Sequence, residues 1–228
     1  MNQRLEKLKS PSDGVPALTR LRLPAEMRVH QILDAALQAF ANEGYAATRI
    51  DDIARLAGLS KGGIYTHFKS KDEIFEALLT RSLAPRAVHG EVPPDTPVSV
   101  ALLVEHIIDR MYDDLTDSQT LLALRLLFAD GGKVPQRVAQ WRRAVVEPYL
   151  DAIQVLVRRG AAEGTLRHSV VAEAPWLLIA PGLFSAMFQM AFEETTPTVV
   201  ARHRRAHVAM LQELLAPHAS AVAATASV

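Results

Sequence analysis

Residues Ser60 to Lys71, with the sequence SKGGIYTHFKSK, bring together side chains that suit contacts with a phosphate backbone. Hydroxyl, imidazole and ammonium groups recur along this stretch, and each of them can donate a hydrogen bond to a phosphate oxygen. Two adjacent glycines interrupt it, although each glycine destabilises a helix interior by about 1 kcal/mol relative to alanine. Because a backbone without side chains lets a bulky partner come close, the stretch predicts contact with nucleic acid.

Eight positions in this stretch are candidate contacts. Ser60 and Lys61 stand at a predicted helix start, where free backbone N–H groups suit a phosphate. Thr66 can offer a methyl group to thymine, or a hydroxyl group to a base or phosphate. The candidates are Ser60, Lys61, Gly62, Gly63, Tyr65, Thr66, His67 and Lys71. Structural explanations stay open, since the glycines could relieve crowding between helices and Tyr65 could be a core aromatic residue.

Short helices would have to position these groups. Apolar residues from Ile32 to Phe40 form one helical face and predict a first helix that ends near Gly44. A short second helix follows, with Thr48 as its expected N-cap and Gly58 as its end.

The candidate contacts fall on the next short helix, which Ser60 can cap. Ile64 and Phe68 are expected to point inward and to tie this helix to the core. A fourth helix opens at Ser70, with Glu73 spaced to complete a capping box. A short helix, a glycine-containing turn and a second short helix are typical of a helix-turn-helix, in which the second helix enters the major groove of DNA.

Residues 28–80 resemble the TetR family of bacterial transcription regulators. The matching residues are Ile32, Ala36, Phe40, Gly44, Thr48 and the segment DIARLAGLSKGGIYTHFKSKDEIFEALL from Asp52 to Leu79. The resemblance implies DNA contacts by Thr48, Lys61, Gly62, Tyr65, His67 and Lys71. Additional contacts are expected from Arg49, Ser60, Gly63 and Thr66.

Almost every periodic segment of the chain predicts a helix, so the expected fold class is all-α, with an N-terminal three-helix helix-turn-helix domain and a C-terminal helical domain. The segment HGEVPPDTP is the clearest linker. It separates a DNA-binding domain with its connecting helix, residues 25–88, from a helical ligand-binding and dimerisation domain, residues 96–216. Residues 1–24 are expected to form a flexible arm, either a solvated tail or a DNA-tracking segment, and residues 217–228 a disordered tail.

Five helical segments are expected in the second domain, at about 96–115, 118–129, 134–160, 173–193 and 197–216. Pro148 is expected to kink the third. The fourth contains a charge-free run long enough to cross a membrane, but its prolines and glutamate flanks disfavour that interpretation. We expect it to pack on its own subunit with one face and on a partner with the other. The resemblance implies a homodimer through the last two segments.

A ligand pocket is the feature on which the sequence says least. The residues that could line one are Met111, Tyr112, Phe128, Trp141, Phe184 and Phe188, although each taken singly is more typical of an ordinary core. His106 and Arg110 are one helical turn apart and could orient an anionic ligand. A surface ion pair with Glu105 or Asp109 is the favoured interpretation of that pair.

Composition disfavours several kinds of site. The chain has 228 residues, a formal net charge of zero and no cysteine, which excludes disulfides, thiolate metal sites and cysteine nucleophiles. His203 and His207 have the spacing of a two-histidine metal site, but no third ligand sits at the expected spacing, so no metal and no cofactor are expected. The N-terminal sequence lacks an apolar signal segment, which favours a cytoplasmic protein.

The expected function is that of a ligand-responsive repressor. As the resemblance implies, it would bind a palindromic DNA operator as a homodimer and leave it when a small molecule binds. One alternative is a DNA-binding protein of the same fold without a small-molecule inducer, for example one that organises the chromosome. The second alternative is an enzyme, but the sequence shows no nucleophile elbow and no phosphate-binding loop, so we expect none.

Overall fold

The computed structural model describes residues 24–85, 92–192 and 197–217, in which every regular element is helical. The prediction of an all-α fold is therefore confirmed. Apart from Pro24 and Pro217, the predicted arm and tail lie outside the described residues. So do residues 86–88 of the predicted DNA-binding domain and the first three residues of the predicted linker.

Four helices form the N-terminal part of the structure. They are α1 (Ala25–Ala47), α2 (Ile50–Leu56), α3 (Lys61–Tyr65) and α4 (Lys71–Leu83). Gly58 lies just after α2 with a φ of 63°, a left-handed conformation that favours glycine at a helix end. The turn at Gly58 joins α2 to α3, and the pair forms the helix-turn-helix.

A kink at Gly44 shapes the end of α1. Gly44 has a φ of 77° and a ψ of 157°, which takes the backbone out of the helical conformation. One more turn follows and ends at Ala47, so the predicted helix end near Gly44 is a kink before a last turn. The prediction that Thr48 is the N-cap of α2 is wrong. The N-cap is Arg49, and Thr48 is buried beneath the kink.

The next two helices begin at the predicted serines. The Ser60 hydroxyl oxygen accepts a hydrogen bond from the Gly63 N–H at 3.1 Å, and the Ser70 hydroxyl oxygen accepts one from the Glu73 N–H at 3.1 Å. Both N-caps are therefore confirmed. The Glu73 carboxylate accepts from the Lys69 N–H at 2.6 Å, one residue before the position that a capping box requires.

Seven further helices form the C-terminal part. They are α5 (Val100–Leu103), α6 (Arg110–Asp114), α7 (Ser118–Asp130), α8 (Pro135–Trp141), α9 (Glu147–Ala162), α10 (Ala180–Phe192) and α11 (Pro197–Leu215). A π-helical segment, Val104–Asp109, joins α5 to α6, and another, Arg142–Val146, joins α8 to α9. Pro148 lies in the first turn of α9, directly after the second π-helical segment, where proline needs no donor N–H; the predicted kink at Pro148 stays a prediction.

The prediction of one long helix at about 173–193 is wrong. Two short 3-10 turns, Val170–Ala172 and Pro175–Leu178, precede α10, which starts only at Ala180. Prolines 175 and 181 explain the difference, because each lacks a donor N–H and restricts the residue before it. In the described ranges, no helix has both the length and the apolar character that crossing a bilayer requires.

One hydrophobic core connects the two parts of the chain. The inner faces of α1 to α4 meet Ala123 and Leu126 of α7, together with Val134 and Trp141 at and in α8, in a single buried cluster. A second cluster lies among α5, α9 and α11. Helix α7 therefore packs directly against the N-terminal helices that hold the helix-turn-helix.

Candidate nucleic-acid interface and ligand cavity

Helix α3 presents one face to solvent and buries the other. Lys61, Gly62 and Thr66 are exposed, and the Tyr65 side chain is 48% exposed, which rules out the core alternative for that residue. Ile64 and Phe68 are buried, as predicted. The Thr66 hydroxyl donates to the Gly63 carbonyl oxygen at 2.7 Å, which leaves its methyl group and oxygen lone pairs to meet a partner.

The two glycines of α3 are not required by the packing of the chain itself. Both lie outside the left-handed region of φ. A Cβ at Gly62 would meet no atom closer than the Ser60 hydroxyl oxygen at 3.9 Å, and a Cβ at Gly63 would lie 3.4 Å from the same atom. Both distances are ordinary van der Waals contacts, so an alanine fits at either position. The stability that the glycines cost therefore favours close approach by something outside the chain.

Lys61 holds the start of α3 against the start of α2. Its ammonium group donates to the Asp51 carboxylate at 2.9 Å, and both side chains are more than half exposed. The hydrogen bond with Asp51 raises the pKa of Lys61. Such an exposed ion pair stabilises a protein little, so Lys61 can exchange its partner for a phosphate at low cost. Arg49 is exposed just before α2, at the same end of the helix-turn-helix.

Lys71 has an internal role that the sequence did not predict. Its ammonium group donates to the carbonyl oxygens of Tyr45 at 2.5 Å and Thr48 at 2.8 Å, with Ala46 at 3.4 Å. It also lies 4.3 Å from the centre of the Tyr45 ring. Burial lowers the pKa of Lys71, opposed by the charges of Asp72 and Asp130. The ammonium group thus caps the carbonyl end of α1, and we infer that this capping is its main role, while the phosphate contact by Lys71 stays a prediction.

The predicted DNA contact by the Thr48 side chain is at odds with the structure, because this side chain is buried. It is 1% exposed, and its hydroxyl group donates to the carbonyl oxygens of Gly44 at 2.8 Å and Ala39 at 3.2 Å. The Thr48 N–H also donates to the Gly44 carbonyl oxygen, at 3.2 Å, so both donors of Thr48 bind the end of α1. The side chain of Thr48 therefore supports the interface from behind. The surface that α3 and its flanks present to solvent carries Arg49, Ser60, Lys61, Gly62, Gly63, Tyr65, Thr66 and the half-exposed His67.

An apolar cavity of about 360 Å³ lies where the end of α4 meets the C-terminal helices. Three of the six residues predicted to line a pocket are on its wall, namely Met111, Phe128 and Trp141. Leu124 and Leu127 of α7 add to the same wall. A wall that is mostly apolar, with a few polar groups, is typical of sites for small organic ligands.

Tyr112, Phe184 and Phe188 do not line this cavity, which corrects their prediction. Tyr112 is buried elsewhere, with its ring 5.9 Å from that of His207. Phe184 is exposed because α10 buries its small and polar side, including Gly182, whereas Phe188 is half-buried and packs on His203. A Cβ at Gly182 would overlap the Met111 side chain, so this glycine allows α10 to pack closely on the cavity wall.

Sequence reasoning missed several wall residues. Leu83 is the last residue of α4, Ala84 and Pro85 follow it, and nothing in their local pattern indicates a cavity. His106 and Arg110, for which a surface ion pair with Glu105 or Asp109 is the favoured interpretation, both lie on the wall, and Asp109 pairs with Arg204.

The two π-helical segments both border this cavity. The first contributes His106 and Ile107, and the second contributes Arg142 and Val146. Interrupted helices of this kind often occur at functional sites. Tyr149, on the same wall, has its pKa raised to about 12 by burial and then by Asp114, so its hydroxyl group stays protonated and can donate.

The two histidines of α11 lie in different surroundings. The His203 Nδ1 is 2.9 Å from the Ser185 hydroxyl oxygen, and its ring packs on Phe188 at 5.4 Å between centroids. His207 is buried, and burial lowers its pKa to about 4. Across the residues that the structure describes, no three His, Cys, Asp or Glu side chains are grouped to hold a metal ion.

The outer side of α10 is apolar and open to solvent. Phe184 is 60% exposed, Phe192 is 64% exposed, and Met187 lies between them on the same face. Phe188 completes a row of aromatic contacts with Phe184 and Phe192. The inner side of α10 packs on its own chain, as predicted. A contiguous apolar surface of this kind is typical of a protein interface.

Sequence comparison places the helix-turn-helix in a known family. Residues 32–78 match the family described as bacterial regulatory proteins, tetR family. The HTH-type transcriptional repressor Rv3405c of Mycobacterium tuberculosis is 32% identical over 176 residues, which cover 75% of this chain and 84% of that protein. The HTH-type transcriptional activator FasR of Mycolicibacterium smegmatis is 30% identical over 152 residues, covering 66% of this chain and 68% of that protein.

Structural comparison extends the likeness over most of the chain. SmeT, the repressor of the multidrug efflux pump SmeDEF of Stenotrophomonas maltophilia, matches with a TM-score of 0.67 at 21% identity, covering 84% of this chain and 91% of SmeT. At this identity the match shows a shared fold. Since the Rv3405c match spans most of both proteins, the chain belongs to the TetR family of bacterial transcription regulators.

Proposed function

We propose that this regulator is a repressor that binds a palindromic operator as a homodimer and is released from it by a small molecule. The observation that carries the proposal is the composition of the cavity wall. Leu83, at the end of α4, and the next two residues, Ala84 and Pro85, line a cavity of about 360 Å³ together with residues of α7 and α8. Because α4 starts at the helix-turn-helix and ends at this wall, a bound ligand acts on both parts of the chain.

The exposed face of α3 supplies the DNA end of the proposal. Gly62 and Gly63 leave the backbone open, and Lys61 can exchange Asp51 for a phosphate. Tyr65 and Thr66 reach base edges or phosphates from the same helix. A five-residue helix offers few contacts, so one copy binds weakly and two copies on one duplex are needed for specific binding.

The apolar side of α10 supplies the dimer contact. Two copies that meet through Phe184, Met187 and Phe192 would bury these side chains and bring two α3 helices into one assembly. A stable interface buries roughly 800 Å² on each partner. Two α3 helices about 34–36 Å apart would meet successive major grooves, so a ligand that changes this spacing weakens binding.

Relatives support this kind of regulation. Rv3405c is named a repressor, and SmeT has been solved in complex with triclosan. FasR is named an activator, so activation of transcription is the outcome that would contradict the proposed repression. No catalytic step is part of the proposal, and the proposed place of action is the cytoplasm.

The test starts from duplexes selected out of random sequence by the purified protein. We expect a palindromic site, bound with two protomers, and release of that site by a compound found in a thermal-shift screen of drugs, acyl compounds and aromatic metabolites. Transcription in vitro from a promoter that carries the site then shows whether the protein represses or activates. Binding to one palindrome that no stabilising compound weakens would favour the alternative without an inducer.

A cavity variant ties release to the proposed site. Leu124→Trp fills the cavity from α7, and Val155→Trp adds the same side chain on an exposed position of α9. We expect Leu124→Trp to abolish the thermal shift given by the compound and Val155→Trp to retain it. An unchanged thermal shift in Leu124→Trp would place the ligand elsewhere.

A further inference from the structure

Helix α7 touches the cavity along one side and the helix-turn-helix part along another. Leu124, Leu127 and Phe128 line the cavity, and Ala123 and Leu126 belong to the core shared with α1 to α4. The last residue of α7 is Asp130, which is 5% exposed although its side chain is charged. A charged group is rarely buried unless it is bonded to something that requires it.

The Asp130 carboxylate binds a backbone group of α1. Its Oδ2 accepts a hydrogen bond from the Tyr45 N–H at 3.1 Å, and its Oδ1 forms an ion pair with Lys133. Burial disfavours ionisation, but the Lys133 ammonium, the Tyr45 N–H and the charge of Lys71 outweigh it and hold the pKa of Asp130 below its usual value. The carboxylate is therefore charged at neutral pH and binds the N–H strongly.

The kink at Gly44 explains why the Tyr45 N–H needs an outside acceptor. With a φ of 77°, Gly44 breaks the helical pattern, and the next N–H is bonded to a side chain 85 positions later in the chain. A Cβ at Gly44 would lie 4.0 Å from the same Oδ2 atom, so the carboxylate sits directly against the kink. The hydrogen bond between Asp130 and the Tyr45 N–H therefore joins α7, which lines the cavity, directly to the kink in α1.

The segment that receives this bond sets the entry to the helix-turn-helix. Lys71 binds the carbonyl oxygens of Tyr45 and Thr48, and the Tyr45 hydroxyl group binds the Asp72 carboxylate. Helix α2 begins at Ile50, two residues after Thr48. A shift of α7 that moves Asp130 therefore also displaces the segment from Tyr45 to Thr48, which is hydrogen-bonded to α4 and continues directly into α2.

We propose that Asp130 is a positioning residue that transmits occupancy of the cavity to the helix-turn-helix, by holding the Tyr45 N–H from the end of α7. The inference rests on the proposed function, because it assumes that filling the cavity changes DNA binding. A ligand that pushes on Leu124, Leu127 and Phe128 displaces α7, and the bond between Asp130 and Tyr45 carries that displacement to α2 and α3. The ion pair with Lys133 orients the carboxylate but is not itself the link.

A double-mutant cycle tests the link without a known ligand. Leu124→Trp serves as a permanent occupant of the cavity, and DNA affinity is measured by fluorescence anisotropy on the selected palindrome. We expect it to weaken DNA binding at least fivefold in the parent protein, the lower end of typical coupling factors. In an Asp130→Ala background the same substitution should change DNA binding less than twofold.

Two matched variants separate the link from a general loss of charge. Asp130→Asn keeps an oxygen acceptor for the Tyr45 N–H, and Lys133→Ala keeps the carboxylate but removes its ion pair. Both should retain most of the fivefold effect of Leu124→Trp. An equal effect in Asp130→Ala and in the parent would overturn this inference and leave the proposed function intact. No effect of Leu124→Trp in the parent would refute the response to ligand itself, and this inference with it.

A second measurement keeps the test decisive if Asp130→Ala does not fold. Amide hydrogen exchange at Tyr45 is compared between the parent and Leu124→Trp. We expect faster exchange at this amide in Leu124→Trp, because displacement of Asp130 weakens its bond, with unchanged exchange in the control Val155→Trp. Weaker DNA binding in Leu124→Trp with an unchanged Tyr45 amide would show that the coupling bypasses Asp130.

Discussion

Substituting Lys71 and Lys61 separately tests how the helix-turn-helix uses its two flanking lysines. Both lysines are expected from sequence to bind phosphate, yet the structure gives them opposite surroundings. Lys71 donates to the carbonyl oxygens of Tyr45 and Thr48, whereas Lys61 makes one exposed ion pair with Asp51. Lys71→Ala should therefore reduce stability, and Lys61→Ala should reduce DNA binding.

The expected magnitudes follow from these contacts. A hydrogen bond to a charged group contributes about 1.5–3 kcal/mol, and a cation over an aromatic ring about 0.5–1 kcal/mol when exposed. When Lys71 is replaced, water can reach the half-buried carbonyl oxygens, and its hydrogen bonds recover part of the lost stability. We expect Lys71→Ala to lower the free energy of unfolding by about 2–4 kcal/mol. Lys61→Ala should lower it by less than about 0.5 kcal/mol, as for other exposed ion pairs.

Two assays separate the roles. Urea unfolding gives the change in stability, and DNA affinity measured over a series of salt concentrations gives the number of phosphate contacts. Each lost phosphate contact lowers the slope of log affinity against log salt by about 0.9. We expect Lys61→Ala to lower the slope by about 0.9 for each half-site, and Lys71→Ala to leave it unchanged under conditions where the variant is folded.

One result would refute the structural role of Lys71. If Lys71→Ala unfolds at the parent urea concentration and lowers the salt slope as much as Lys61→Ala does, its ammonium group binds phosphate. The capping of α1 would then be incidental. Lys71→Met is the matched control, because it keeps most of the aliphatic chain and removes the charge alone.

Three further predictions test the interface, the dimer and a buried histidine. Gly62→Ala should raise stability by up to about 1 kcal/mol while weakening DNA binding at least tenfold; parent affinity in this variant would show that nothing approaches the helix there. Phe184→Glu with Met187→Glu should convert a dimer to a monomer in analytical ultracentrifugation, and a persistent dimer would exclude α10 as the interface. Lowering the pH from 7 to 5 should reduce the free energy of unfolding by about 2 kcal/mol more in the parent than in His207→Gln. The reason is that the His207 ring stays neutral in the folded state, where its pKa is about 4, but becomes protonated in the unfolded chain, where its pKa is near 6.5. Equal pH dependence in both proteins would contradict this.

The positions that local chemistry determines were predictable from sequence. Ser60 and Ser70 cap helices because a side-chain hydroxyl can reach an N–H three residues ahead, whatever the rest of the fold does. Gly58 ends α2 because a left-handed residue is needed there. Ile64 and Phe68 are buried because they are four residues apart in a helical turn, closed by the hydrogen bond from the Phe68 N–H to the Ile64 carbonyl oxygen, whose other side is polar.

The positions that long-range contacts determine were not predictable. Lys71 lies 26 residues from the Tyr45 carbonyl that it binds, and Asp130 lies 85 residues from the Tyr45 N–H. Neither pair leaves a periodic signal in the sequence. The apolar residues of α10 were ambiguous for another reason. A helix without a charged residue does not indicate which face meets its own core, and in the structure that face carries small and polar residues such as Gly182 and Ser185.

Because Gly62 and Gly63 lower the stability of α3, the position of this helix depends on the rest of the molecule. Helix α3 has five residues, far fewer than an isolated helix needs, and two of them lower its stability further. Its position therefore depends on Ile64 and Phe68 below it and on the segment from Gly44 to Thr48 beside α2. A helix that is weak by itself follows the elements that hold it, so small displacements of Asp130 or α4 are transmitted to the DNA-facing surface. On the proposed function, the same glycines that would open the backbone to DNA would also make this surface sensitive to occupancy of the cavity.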